Sequence, residues 1–178
     1  IEMAQIIEDN YEKFDGFVVL HGSDTMSYSA SALSFMFENL SKPIVFTGSQ
    51  LPIGDLRTDA KENLITAIQI ASLKQKGKPV FKEVCLYFEY KLYRGNRTSK
   101  INAEHFMAFA SPNFPALAES GVHIKINNES LFQVNSTKKM MVHKELDSNV
   151  AIIKMFPGLN ENVLASLFEI TNLKGIVL

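Results

Sequence analysis

The chain has 178 residues, 46% of them hydrophobic and 21% charged. That is the composition of a globular chain able to bury its own core. Its net charge of -1 excludes bulk charge as a drive toward nucleic acid or a membrane surface. Cys85 is the lone cysteine, which excludes an intrachain disulfide and argues against a cysteine-built zinc site. No window approaches the roughly 18 consecutive apolar residues of a membrane span. The first residues lack a basic segment followed by an apolar run, so no leader peptide is expected there.

Residues 3–14 carry Met3, Ile6, Ile7 and Phe14 at helical spacing, and Gly16 ends the segment. The apolar run Phe17–Leu20 predicts a buried parallel strand, followed by the polar loop His21-Gly22-Ser23-Asp24-Thr25. Residues 27–40 predict a second helix with Leu33, Met36, Phe37 and Leu40 on one face. Pro43 opens a strand at 44–46, and Thr47-Gly48-Ser49-Gln50 is again a loop of small polar groups. Asp59 is expected to N-cap a helix reaching about Leu73, with Leu64, Ile65, Ile68 and Ala71 inward. A basic surface turn over 74–82 leads to a strand at 84–88.

Beyond Tyr90 the pattern loosens. It predicts a polar stretch over 94–102, a short helix over 103–109, and hairpin strands at 122–126 and 131–134. The polar segment 136–149 reads as a linker. A fresh unit follows, with strands at 150–153 and 176–178 around a helix at 161–167. Helix and strand alternate, so the fold class expected is α/β. It is a three-layer, flavodoxin-like sandwich around a mostly parallel sheet, followed by the start of a second, smaller α/β domain. The expected boundaries are a first domain over 1–137, a linker over 138–149 and the second domain from 150–178. The chain opens inside a helix and stops on an apolar strand, so it is read as an internal piece of a longer protein.

Ligands of open α/β sheets bind beyond the carboxyl ends of the strands. That rule selects the loops at 21–25, at 47–50 and at 91–100. The first runs into a helix N-terminus and supplies two hydroxyls and a carboxylate. The third supplies Lys100. A hydroxyl, a lysine and an aspartate can form a relay in which the amine takes the hydroxyl proton and the carboxylate orients the amine. Such a relay suits attack on a carboxamide or an ester. The plainer reading of the same residues is a helix cap with a turn, and a solvated surface lysine.

The strings Leu20-His21-Gly22-Ser23-Asp24-Thr25-Met26 and Ala30-Ser31-Ala32-Leu33-Ser34-Phe35-Met36 closely resemble a signature of the bacterial-type L-asparaginases. The resemblance continues through Lys42-Pro43-Ile44-Val45, Thr47-Gly48-Ser49-Gln50 and Arg57-Thr58-Asp59 with Asn63-Leu64. It goes on through Leu92-Tyr93-Arg94-Gly95-Asn96-Arg97-Thr98-Ser99-Lys100, Phe109-Ala110-Ser111-Pro112-Asn113 and Phe156-Pro157-Gly158. It is strongest to the cytoplasmic type I enzymes. What it implies is hydrolysis of L-asparagine to aspartate and ammonia through a hydroxyl nucleophile and an acyl-enzyme, with no cofactor and no metal.

By that resemblance Ser23, Asp24 and Lys100 are catalytic, and Gly22, Ser23 and Asp24 bind substrate. Gln50 and Ser99 are candidates for a second, effector site, against a bland reading as loop hydrogen-bonding groups. Ser23 stands where the family usually has Thr, so a hydroxyl is kept and a β-methyl lost. The first strand of the sheet, a further nucleophile in the threonine of a TGGT string, and a serine that grips the substrate carboxylate are expected upstream of Ile1. The resemblance also implies a homo-oligomer, dimer or tetramer, and no nucleic-acid or membrane partner. The alternatives kept open are an asparaginase-like amidotransferase subunit supplying ammonia and a non-catalytic amino-acid sensor.

Among the remaining candidates, His21 reads as a structural histidine, since the relay needs no imidazole. His105, His123 and His143 lack metal-ligand spacing. Arg94 and Arg97 are expected to pin a loop, and Cys85 to be an inert buried thiol.

Overall fold

In the computed structural model, which describes residues 1–134 and 137–178, the three apolar runs of the first half lie side by side. Strands β1 (Phe17–Leu20), β3 (Ile44–Thr47) and β6 (Val84–Phe88) form two parallel ladders, Phe17 opposite Ile44 and Ile44 opposite Val84. Side chains alternate across a strand. Ile44, Phe46, Val84, Leu86 and Phe88 therefore enter one core, and Val45, Cys85 and Tyr87 enter another. The first core is closed by helices α1 (Glu2–Asn10) and α2 (Met26–Met36), the second by α3 (Ala60–Ser72). Helices on both faces of a sheet make the three α/β/α layers.

The sheet is mixed rather than mostly parallel. From β6 the chain reverses through Glu89 and Tyr90, with φ of 47 and 67, into β7 (Lys91–Arg94). Positive φ at both central residues is the two-residue hairpin turn whose twist matches that of the strands. Strand β10 (Ala118–Ser120) then pairs antiparallel with β7, and β11 (Ile124–Ile126) with β10, giving the order β1-β3-β6-β7-β10-β11. The hairpin expected from 131–134 uses Ala118–Ser120 instead. Leu131 follows a 3-10 turn at Asn128–Ser130, and Arg94 holds the carbonyl of Ser130 at 2.9 Å. Arg94 also forks onto Glu83, Nε to Oε2 at 2.5 Å, and lies over the Phe114 ring, so it pins this loop as expected.

Two expected helices end early for local reasons, and the third keeps its expected limits with a different cap. Helix α1 stops at Asn10, whose side-chain amide bonds back to the Ile6 carbonyl, and Phe14 lies beyond it against Phe17. Helix α2 stops at Met36. Phe37 and Glu38 turn extended as β2 (Phe37–Glu38), and Asn39 adopts φ of 58. Strand β12 (Met141–Val142) pairs antiparallel with β2, so Phe37 and Leu40 stay buried without being helical. Helix α3 begins after Asp59, but that carboxylate does not cap it. Thr58 Oγ1 accepts the Ala60 N–H at 3.0 Å instead.

The inward face of α3 is also rotated from expectation. Asn63, Thr66, Ala67, Ile70 and Ala71 are buried, while Ile65 and Ile68 are exposed. Small alanines let the helix sit close to the strands, and Asn63 must be inside to meet Gly48 and Glu89. The basic turn forms a small hairpin, β4 (Lys74–Gln75) with β5 (Lys78–Pro79).

The expected helix over 103–109 does not form. Asn102 Oδ1 accepts the N–H groups of Glu104 (2.8 Å) and His105 (3.0 Å), offering the backbone a turn that competes with a helix. Strands β8 (Ser99–Lys100) and β9 (Phe109–Ala110) pair antiparallel around this excursion.

The described residues divide into two compact units, Ile1–Lys144 and Glu145–Leu178. Asn135 and Ser136, near the end of the expected first domain and the start of the expected linker, lie outside the described residues. The second unit is a β-α-β element, with β13 (Val150–Ile152) parallel to β14 (Gly175–Val177) and α4 (Glu161–Phe168) between them. Asn160 caps α4 by accepting the Asn162 N–H at 2.8 Å. No helix among the described residues is long and apolar enough to cross a membrane.

Candidate active site

The loop after β1 and the loop after β3 meet at the carboxyl end of the parallel strands. The β1–β3 ladder carries one bond further, from His21 N to the Thr47 carbonyl at 2.9 Å. Gly48 then passes so close that a Cβ there would lie 2.3 Å from the His21 carbonyl oxygen and 2.7 Å from the Met26 side chain. Only glycine permits that approach. His21 is committed to structure: Nδ1 donates to the Gly22 carbonyl at 2.8 Å, which leaves Nε2 to accept from Ser29 Oγ at 2.9 Å.

Into this junction the β8–β9 excursion delivers Lys100. Its Nζ donates to Ser23 Oγ at 2.8 Å and to Asp24 Oδ1 at 2.7 Å. The three residues read from the sequence as a relay are thus joined directly. Their environments differ: the Lys100 side chain is 15% exposed and that of Asp24 93%. The hydrogen bond from Lys100, and then its charge, hold the Asp24 carboxyl below its ordinary range. Asp24 Oδ2 makes no hydrogen bond among the described residues, and the side chain faces solvent. Gly22 is exposed, with no heavy atom within 4 Å of a built Cβ.

The fourth member of the cluster is Gln50. Ser23 Oγ donates to Gln50 Oε1 at 3.0 Å, while Gln50 Nε2 donates to the carbonyls of Ala103 (2.9 Å) and His105 (3.1 Å). Two carbonyls can only be met by the amide nitrogen, so the oxygen must face Ser23. The Ser23 proton is therefore directed at Gln50 and its lone pairs at Lys100. The Gln50 N–H and the Leu51 N–H are both held by the Asp59 carboxylate.

Beside Asp24 and Lys100 opens a groove of about 570 Å³. Ser27, Ser31, Thr98, Ser99 and Asn102 give it a hydroxyl- and amide-rich lining, with Tyr28 and Ile101 as its large apolar members. Ser99 is in that lining, whereas Gln50 is not, and no hydrogen bond joins the two among the described residues. No group of three His, Cys, Asp or Glu among the described residues is placed to hold a metal.

Sequence reasoning missed how Gln50 is used, the Ala103 and His105 carbonyls, and Asp59. The available signals were Asn102 followed by Glu104 and His105, an Asx-turn pattern, and a second possible cap, Thr58, beside Asp59.

The fold and this cluster define an α/β protein whose strand-tip loops join a hydroxyl, a lysine and a carboxylate. A family model described as "Asparaginase, N-terminal" matches residues 1–132, and the chain belongs to that family. It is 44% identical over 167 residues to L-asparaginase 1 of Escherichia coli, covering 94% of this chain and 48% of that one. It is 42% identical over 178 residues to the 60 kDa lysophospholipase of Mus musculus, covering 100% of this chain and 30% of that one. The solved L-asparaginase I of Vibrio cholerae superposes with a TM-score of 0.87 at 40% identity, over 98% of this chain and 52% of that one. The chain thus spans about half, or less, of the length of these relatives.

Proposed function

We propose that the protein hydrolyses L-asparagine to L-aspartate and ammonia through a hydroxyl nucleophile and a covalent acyl-enzyme. The observation that carries this reading is Lys100 Nζ bonded to both Ser23 Oγ and Asp24 Oδ1 across 77 and 76 residues of chain, in a member of the asparaginase family. In the resting arrangement the lysine is the donor. To act as base it first gives up a proton toward the open groove beside it. Ser23 then turns its proton from Gln50 to Lys100 as Oγ attacks the side-chain carboxamide carbon. The Oγ–C bond forms, the C–N bond breaks, and Lys100 returns the proton to the departing nitrogen, which leaves as ammonia. Water attacks the ester, aspartate leaves and the Ser23 hydroxyl is restored. Asp24 Oδ2 is the natural partner of the substrate α-ammonium.

The test is ammonia release from L-asparagine by the whole protein and by Lys100→Met. The variant is expected to lose at least about 100-fold in kcat, the usual cost of removing a general base. Retention of more than about a tenth of the rate removes Lys100 from this role. Binding of asparagine without turnover in the unaltered protein would instead identify a sensor. Hydrolysis that rises with an acceptor for ammonia would identify an amidotransferase subunit.

A second reading follows from the mouse relative's name, since the same relay can attack a carboxylic ester. The groove argues against it. Among the described residues its lining is mostly serine, threonine, asparagine and charged side chains, with Tyr28 and Ile101 as its large apolar members. Three further points belong to the proposal. The protein works as a dimer or tetramer. It works in the cytoplasm, in keeping with the type I resemblance and the buried free thiol of Cys85. It responds to asparagine as an effector near Ser99, next to Lys100, which a sigmoidal rate curve would reveal.

A further inference from the structure

The first turn of α3 touches neither Ser23 nor Lys100 by any hydrogen bond, yet it holds the loop that does. Asp59 Oδ1 accepts the N–H groups of Gln50 and Leu51, both at 3.1 Å, and Oδ2 accepts the Gln50 N–H at 3.0 Å. One turn on, the fully buried Asn63 donates from Nδ2 to the Gly48 carbonyl at 2.9 Å and to Asp59 Oδ2 at 3.1 Å. Its Oδ1 accepts the Glu89 N–H at 3.2 Å. Thr58 Oγ1 donates to the Leu51 carbonyl at 3.1 Å. Four backbone groups of residues 48–51 are therefore gripped by three side chains at one helix start, at the base of an exposed loop over 52–57.

This grip has a chemical consequence. Gly48 is already pressed on the His21 carbonyl, so residues 48–51 have one edge fixed against the Ser23 loop. Asp59 fixes the other edge. With both edges set, the Gln50 side chain extends into the space between Ser23 and the Ala103 and His105 carbonyls. We infer that Asp59 is a positioning residue for the proposed hydrolysis, acting through Gln50 to hold Ser23 with its proton on Gln50 and its Oγ lone pairs facing Lys100 at 2.8 Å. The inference rests on the reading of Ser23 and Lys100 given above. A carboxylate is required because three N–H groups converge on it. An asparagine offers one oxygen and turns an N–H against N–H donors.

The experiment is a double-mutant cycle between Asp59→Asn and Gln50→Ala in the whole protein, read as ammonia release from L-asparagine. Asp59→Asn is expected to lower kcat about 10- to 100-fold, the usual effect of a slight misplacement of reacting groups, with KM changed by less than about threefold. Because Asp59 acts through Gln50, adding Asp59→Asn to Gln50→Ala should cost nothing further. Multiplying losses would overturn the proposal, because a merely structural role predicts them. Two readouts need no activity: faster hydrogen exchange at the Gln50 and Leu51 amides, and a shifted Gln50 side-chain amide resonance in Asp59→Asn. If neither moves, the positioning role is wrong. If both move while the unaltered protein releases no ammonia, the hydrolysis reading fails and the positioning of Gln50 stands. Should Asp59→Asn not fold, Asp59→Glu keeps the charge but displaces the carboxylate by one methylene, and the same outcomes apply.

Discussion

Asp24 is nearly fully solvated, yet its carboxyl is held below the ordinary value of 3.8 by the Lys100 hydrogen bond and charge. A carboxyl whose folded value lies below its unfolded one stabilises the fold above the unfolded value. That contribution is lost as pH falls through the folded value. The Asp24–Lys100 contact is therefore expected to survive mild acid and to break only below the usual aspartate range. Carboxyl NMR should find Asp24 titrating below 3.8 in the unaltered protein and returning close to it in Lys100→Met. An unchanged titration would mean the contact does not persist in solution.

Ser23 carries the other prediction at this scale. It lacks a β-methyl, so nothing intrinsic selects its rotamer, and the bonds from Lys100 and to Gln50 do so instead. Ser23→Thr should keep kcat within about threefold or raise it, since the hydroxyl can hold the same place. A loss of 100-fold in the ammonia assay would mean that the pocket has no room for the methyl.

The parallel half of the sheet was legible because short apolar runs read as strands; β3 and β6 are buried throughout as expected, whereas β1 lies at the edge of the described sheet, half-buried and with Leu20 exposed. Strand β7 was not, because Lys91–Arg94 mixes charge with apolar residues, and its turn is built from Glu89 and Tyr90 rather than from asparagine and glycine. Strand β10 was hidden for a similar reason. Ala-Glu-Ser has no strand preference of its own and is extended because it pairs on both edges. The candidate relay was legible in its three members: Ser23 and Asp24 stand in the loop after β1, and Lys100 closes the polar stretch 94–102 read as a loop, where the structure places it in the short strand β8. Its geometry was not, because the loop over 101–108 is shaped by one side chain, Asn102, competing with a helix. The same turn gives the element-scale prediction. Tyr90 has φ of 67, a conformation that costs a side-chain-bearing residue about 1–2 kcal/mol. Its own side chain is exposed. Tyr90→Gly should raise stability by roughly 1 kcal/mol, after the entropic cost of glycine. Thermal unfolding checks it, and a lowered midpoint would show that the ring contributes packing.

For the whole molecule the open question is what covers the outward face of α2. Its inward stripe, Met26, Ala30, Leu33 and Met36, is buried in the sheet core, as a helix of period 3.6 demands. Its outward side keeps Tyr28 and Phe35 exposed, seven residues apart and so on one face. Tyr28 lines the groove beside Lys100 together with the exposed Ile101. Aromatic side chains left bare along a helix that borders the candidate groove are what an interface between copies would bury. On the proposed dimer or tetramer, Phe35→Glu places a charge in that interface. Light scattering should then find the mass per particle falling by half or more, and ammonia release should fall with it, while circular dichroism keeps the signal of the fold. A variant that keeps the particle mass of the unaltered protein would place the interface on another face. A variant of halved mass with full activity would show that each copy completes its own site.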